Sequence, residues 1–287
     1  MSSFYKTNTA HMKILRQFIK SKFEPVISSK YVDILTDEKS MPMYLQSFTS
    51  STFDEQNNYE FYEQMGDVAA NKFLVYYFYE RFPALMCPLG VKVVARLKIN
   101  YASKKTFSRL AEKEGFWQHI RASEEWKDKR KMDLLEDSFE AFIGATEFII
   151  DTRVEKGLGA VVVGSYLERL FDAEPISLRY VDLYDSKTRL KELFDRFGAE
   201  LGRIKYTDVK EYDEATFTAS TTSRITLYPL RGRPHTLSTG VGRLKADAQR
   251  AAAEEAISKL KMRGFYKTEP PEYEIFAHSE ISRKDKK

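Results

Sequence analysis

Five acidic side chains stand at spacings that can do chemistry. Glu60, Glu63 and Asp67 fall within NNYEFYEQMGDVAANKFLVYYFYERFP (57–83), an otherwise strongly apolar stretch. At about 100° per residue they lie within about 60° of one another on one helical face. A second apolar stretch, MDLLEDSFEAFIGATEFIID (132–151), carries Asp137 and Glu140 at i, i+3, again on one face. Gly66 and Gly144 sit beside the two stripes and would let the helices approach closely, gathering four or five carboxylates in one cleft. Such a cluster is unfavourable alone, because like charges in a partly dry site push pKa values up. Hard divalent cations resolve the conflict: magnesium takes oxygen ligands and keeps waters, leaving positions for phosphate oxygens and a nucleophilic water. Two such ions about 4 Å apart stabilise both the attacking and the leaving oxygen of an in-line displacement at phosphorus. One acidic pair at this spacing is ordinarily a solvated helix face. Here the neighbours Phe61, Tyr62, Val68, Phe139, Phe142 and Ile143 predict buried helices, and buried acids are rarely unpaired.

The elements that must position these acids follow from periodicity. Helical spacing predicts helices at 11–21, 57–82, 89–97, 104–114, 130–152 and 158–172. AEPISLRYVDLYDS (173–186) loses the period and reads as a linker, with 176–184 as its core. Beyond it come a helix over 186–198, capped by Ser186 and ended by Gly198, then strands at 203–212, 215–228 and 235–242, and an alanine-rich helix at 244–264. Residues 266–287, with Pro270 and Pro271, read as a loosely ordered tail. GLGAVVVG (157–164) lacks the spacing of a dinucleotide loop and reads as helix packing, so no nucleotide cofactor is expected. The aromatic run Phe73–Phe78 reads as core or as a subunit contact.

At 287 residues and 43% hydrophobic content, two domains with real cores are expected. Cys87 is the single cysteine, which excludes an intrachain disulfide and a cysteine-rich zinc site. The four histidines are scattered, so a metal should be held by oxygen. With no long apolar run and no leader pattern, the reading is a soluble, unsecreted protein with no membrane partner, cytoplasmic or nuclear. The net charge of +4 is unevenly spread: residues 185–265 carry 16 Lys/Arg against 11 Asp/Glu, and the rest is close to neutral. A basic segment of this kind suits phosphate.

The first acidic motif, Asn58-Tyr59-Glu60-Phe61-Tyr62-Glu63-Gln64-Met65-Gly66-Asp67, resembles the signature of the ribonuclease III family. SFTSS (47–51) is similar to that family's upstream segment and LLEDSFEAFIGA (134–145) to its second acidic motif. Gln64-Met65 replaces a more usual apolar pair, and Ser50 stands where many members have histidine. The resemblance implies an all-helical catalytic domain over 1–175, with Glu63, Asp67, Asp137 and Glu140 as the metal-binding catalytic quartet and Glu60 in an auxiliary role. It also implies Mg2+, with Mn2+ as a substitute, and a homodimer.

Residues 185–265 resemble a double-stranded-RNA-binding domain of α-β-β-β-α order. The matching residues are Gly240-Val241-Gly242-Arg243-Leu244-Lys245 running into Ala248, Ala251, Ala252, Ala253 and Ala256, and KTRLKELF (187–194) in the first helix. The resemblance assigns RNA contacts to Thr188, Lys191, Glu192, Arg243, Lys245 and Arg250. A helix N-terminus with Lys245 suits phosphate, and the first helix suits 2′-hydroxyls in the minor groove. Ala246 replaces the second lysine of the usual pair, and the turn EYDEAT (211–216) is short and acidic. Arg231 and Arg233, in a long connection between the second and third strands, could compensate. The fold class expected is therefore multidomain, α followed by α+β. The expected function is an endoribonuclease that cuts double-stranded RNA to 5′-phosphate products with short 3′ overhangs. The competing reading is a catalytically silent relative that only holds RNA or sits on a ribosome, and a pure binder would be free to lose carboxylates that repel one another.

Overall fold

The computed structural model describes the backbone of residues 2–213 and 218–279 and the side chains of residues 11–212 and 219–279. It divides into two compact units that meet between Ile176 and Ser177 in the sequence. The first unit is helical: α1 (Ser2–Phe23), α2 (Ser29–Leu35), α3 (Met41–Ser47), α4 (Glu60–Arg81), α5 (Gly90–Tyr101), α6 (Lys104–Lys113), α7 (Glu124–Lys129), α8 (Lys131–Arg153) and α9 (Leu158–Asp172). Ser103 and Ser123 cap α6 and α7, each accepting the backbone N–H of the third residue on.

α8 is the axis of this unit. Phe139, Phe142, Ile143, Ile149 and Ile150 are fully or almost fully buried, so the apolar-all-round sequence does what such a helix must. Phe142 meets Phe23, Tyr44 and Phe116 ring to ring at 5.2–5.6 Å, and Tyr44 donates to or accepts from Thr146 across 2.9 Å. α4 crosses α8 at the two glycines expected to permit it. A Cβ on Gly66 would stand 1.7 Å from the Glu140 carbonyl oxygen, and one on Gly144 would stand 2.0 Å from that of Tyr62. Gly159 is pressed in the same way against the Glu147 carbonyl at 2.4 Å, so GLGAVVVG is indeed helix packing.

α4 departs from expectation on its outer side. Phe61 and Val68 are exposed at 52% and 64%, because α8 covers only the glycine-bearing face of α4 and leaves theirs open.

The second unit contains α10 (Tyr180–Leu183), α11 (Ser186–Leu201), β1 (Arg203–Asp213), β2 (Thr218–Tyr228), β3 (His235–Gly242), α12 (Lys245–Met262) and α13 (Pro271–Phe276). The three strands form an antiparallel sheet in sequence order, in register from Arg203↔Tyr228 to Asp213↔Thr218, with a slip in the β2–β3 pairing at Ile225/Thr226. Leu190 and Leu193 of α11, Ile225, Leu227 and Leu237 of the sheet, and Ala252, Ala253, Ala256 and Leu260 of α12 make its core. Glycine is required at 240 because β3 runs close to the α12 backbone: a Cβ on Gly240 would lie 2.2 Å from the Ala252 nitrogen.

Three expectations about this unit are corrected. Asp185, not Ser186, caps α11, accepting from the backbone of Lys187 and Thr188, while Ser186 is buried and donates to the Arg250 carbonyl at 2.8 Å. Gly198 does not end that helix; it continues to Leu201 and stops at Gly202, whose φ of +94° is left-handed. The linker and part of the tail are folded: Tyr180 and Tyr184 stack with Tyr273 of α13 at 5.4 and 5.6 Å, and the Tyr184 and Tyr273 hydroxyls bond at 2.9 Å. Aromatic packing outside any helical period hid this from the sequence. The turn at 211–216 lies partly, and the end of the tail from 280 wholly, outside the described residues.

Candidate functional site

The α4–α8 crossing brings the acids of the two motifs together. Glu63 on α4 and Asp137 on α8 are half-buried, Glu140 is 8% exposed, and Glu60 and Asp67 are exposed at the rim. Burial pushes the Glu140 carboxyl up to about 9, and the charges of Asp67, Glu136, Glu63 and Asp137 add to it. Burial likewise raises Glu63 to about 7, with Asp137 and Glu60 its strongest charged neighbours. Asp137 is held up to about 6 by burial, against which a hydrogen bond from Tyr59 works. All three carboxyls are held above the ordinary carboxylate range, first by burial and then by neighbouring acidic charge, as expected of negative charge crowded into a dry cleft.

Contacts not foreseen from the sequence complete the site. The Tyr59 hydroxyl donates to Asp137 Oδ2 at 2.8 Å. Asn71, one turn after Asp67, donates to its Oδ1 at 2.7 Å and to its carbonyl at 2.8 Å. Glu136 belongs to the cluster by its effect on Glu63, Asp137 and Glu140, and Lys104 of α6 pairs with it at 2.8 Å while also bonding Asp133. The i, i+4 spacing of Glu136 and Glu140 was the signal that could have found it. Among the described residues, no three His, Cys, Asp or Glu side chains already converge as a ligand shell. The donor set is nevertheless all oxygen, and its crowded negative charge is what a hard cation relieves, so the residues fit such an ion.

In the second unit, the first turns of α11 and α12 lie side by side. Lys187 reaches Gln249 at 2.6 Å, Gln249 reaches Asp208 at 2.9 Å, and Lys245 pairs with the same carboxylate at 3.0 Å. Arg243, Lys245 and Arg250 are exposed along this edge, Arg250 leaning on Asp247 at 3.5 Å. Lys191 is exposed on α11, and Thr188 donates to Asp185 at 2.7 Å. Glu192 is tied inward, accepting from Tyr180 at 2.5 Å and pairing with Lys267 at 2.7 Å, so it is not free at the edge as expected. Arg231 and Arg233 are exposed in the β2–β3 connection.

A family model described as "Ribonuclease III domain" matches residues 60–147, which contain both acidic motifs. The chain is 38% identical over 275 residues to a protein of Invertebrate iridescent virus 6 provisionally named ribonuclease 3, an alignment covering 91% of this chain and 92% of that one. A similarly named protein of Frog virus 3 is 37% identical over 84% of this chain, which spans 61% of that longer protein. Ribonuclease 3 of Bacillus cereus AH187 is 25% identical over 86% of this chain and 98% of its own. No helix among the described residues is long and apolar enough to cross a membrane.

Proposed function

Because the chain belongs to the ribonuclease III family and is a ribonuclease, we propose that it is an endonuclease that hydrolyses double-stranded RNA at the α4–α8 cleft. The observation that carries this reading is the glycine-to-glycine crossing, which gathers the carboxyls of both acidic motifs into one like-charged cluster that packing alone does not require. Glu63, Asp67, Asp137 and Glu140 would hold divalent cations, Mg2+ with Mn2+ as a substitute, and Glu60 would act from the rim. When bound, such ions supply charge neutralisation at phosphorus and a nucleophilic water.

The chain's own groups do the rest. Tyr59 and Asn71 fix carboxylate orientations on α8 and α4. Lys104 keeps Glu136 paired, so that it adds less negative charge to the cleft. Burial by the α4–α8 contact keeps bulk water from Glu140. Hydrolysis breaks the P–O3′ bond, leaving a 5′-phosphate on one product and a protonated 3′-oxygen on the other, with short 3′ overhangs when two staggered cuts are made.

Two further assignments belong to the same reading. The second unit acts as a double-stranded-RNA-binding domain, with Arg243, Lys245, Arg250 and Lys191 meeting phosphates and Thr188 near the minor groove; Glu192 serves the fold. A homodimer supplies the second cut. Its support is the exposed apolar side of α4 and α9, where Phe61, Val68, Tyr76 and Val161 are all more than half exposed and a groove of about 470 Å³ opens between Phe73, Tyr76 and Val161.

The test is incubation with a long RNA duplex and Mg2+, with the products sized and their ends identified. Short duplexes with 5′-phosphates are expected from the wild type and none from Glu140→Gln. Intact duplex, or equal cutting by both proteins, refutes the assignment.

A further inference from the structure

We propose that Tyr59 is a positioning residue for the cleft: its phenol fixes the Asp137 carboxylate in the orientation that ligates a divalent cation. This rests on the reading of the carboxylates given above. Tyr59 immediately precedes α4 and is 3% exposed, so its hydroxyl has few partners to choose from. It donates to Asp137 Oδ2 at 2.8 Å, across 78 residues of sequence and from outside both acidic helices. A hydrogen bond to a carboxylate is among the stronger kinds, and it occupies one of the two oxygens while fixing the direction of the other.

The phenol is itself held. The Tyr59 backbone N–H donates to the Thr49 carbonyl at 2.9 Å, which fixes the residue that carries the phenol. Ser50 is fully buried; its N–H donates to the Arg121 carbonyl at 2.8 Å, and its hydroxyl meets that of Thr52 at 3.1 Å. Thr49 and Arg121 form a parallel β-bridge, so this hold on Tyr59 is anchored in the backbone.

The experiment compares wild type, Tyr59→Phe, Asp137→Asn and the Tyr59→Phe/Asp137→Asn pair, each checked for folding by circular dichroism. Two readouts are used: the Mg2+ concentration that half-saturates thermal stabilisation, and kcat and KM on an RNA duplex. Loss of an outer partner of a ligating group typically weakens metal affinity or activity by about 10- to 100-fold. Tyr59→Phe is expected to raise the half-saturating Mg2+ about tenfold and lower kcat at fixed Mg2+, with duplex KM unchanged and activity regained at high Mg2+. In the Asp137→Asn background the Tyr59→Phe effect on Mg2+ stabilisation should vanish. Unchanged Mg2+ dependence in folded Tyr59→Phe, or an undiminished effect in the Asp137→Asn background, overturns the positioning role. If instead Asp137→Asn and Glu140→Gln both bind Mg2+ and cut as wild type does, it is the underlying reading of the cleft that fails.

Discussion

Glu140→Gln should make the cation-free protein more stable while it abolishes cleavage, and the size of the gain should depend on pH. In the fold the Glu140 carboxyl titrates at about 9, against an ordinary 4.5, because it is buried among Asp67, Glu136, Glu63 and Asp137. The folded state thus binds this proton more tightly than the unfolded chain does. No stability is lost below about pH 4.5; the loss grows through the window between 4.5 and 9 and is complete above it. Each pH unit inside that window costs about 1.4 kcal/mol, so the ceiling at pH 7 is about 3 kcal/mol. Water penetration and relaxation lower such effects, and about half the ceiling is the working expectation. Glutamine has nearly the same volume and needs no proton. Since Glu140 is already largely neutral at pH 7, the exchange leaves the neighbouring carboxyls much as they were. A gain of about 1.5 kcal/mol in a domain of this size raises Tm by about 3–6 °C. The assay is thermal unfolding in EDTA from pH 5 to 8.5. Glu140→Gln should exceed wild type by an amount that widens with pH, and Mg2+ should reverse the order by stabilising wild type alone. A variant equal to or less stable than wild type at pH 8, or a gap independent of pH, would refute the claim that a crowded, protonated cluster exists at the crossing.

Other outcomes follow from the same contacts. Gly144→Ala places a methyl 2.0 Å from the Tyr62 carbonyl and should lower stability by at least about 3 kcal/mol, with cleavage lost in step, as read by urea unfolding; a change below 1 kcal/mol would show that α4 and α8 do not cross so tightly. Replacing Mg2+ by Ca2+ should permit duplex binding without efficient cutting, since longer and looser coordination misplaces the water; equal rates in a side-by-side assay would contradict this. His119, buried with neither ring nitrogen bonded, is held down to about 4 by burial and by the charges of His11 and Lys22. Its contribution is present above the unfolded value near 6.5 and lost as pH falls towards 4, so His119→Phe should flatten the acid limb of the stability curve. Arg243→Ala with Lys245→Ala should weaken binding to all duplex sequences alike and reduce the slope of log K against log salt, measurable by titration at three salt concentrations.

What could be read in advance was decided by local spacing. Glu60, Glu63, Asp67, Asp137 and Glu140 were legible as a convergent set because a helix turns acids three or four residues apart onto one face, and Gly66 and Gly144 were legible as small residues beside the two stripes, whereas the choice of four acids among the five came from the family resemblance. The sheet was legible from alternation, and its strands pair as expected over the described residues. Long-range contacts were not. Tyr59 finds Asp137 only because α3, the Thr49–Arg121 bridge and α8 converge in space, and no window of sequence contains all three. The same holds for Tyr273, which a compositional reading assigned to a loose tail because two prolines precede it, although its ring packs against Tyr180 and Tyr184. Gly198 and Gly202 could not be ranked from residue type, since both permit a helix to end; the left-handed φ at 202 arises where the chain must reverse into β1, with no room for a Cβ 2.1 Å from the Tyr228 carbonyl. Phe61 and Val68 were misjudged for a related reason. Periodicity reports that a helix has an apolar face, whereas which apolar face another element covers is settled by the glycines, and in α4 the glycine side was taken by α8. On the proposed reading a second copy of the chain meets this uncovered apolar side, and Val161→Glu, exposed on α9 outside both acidic helices, should separate dimerisation from cation binding. In sedimentation the variant should run as a monomer while keeping its Mg2+-dependent Tm shift; a dimer of undiminished affinity would place the subunit contact elsewhere.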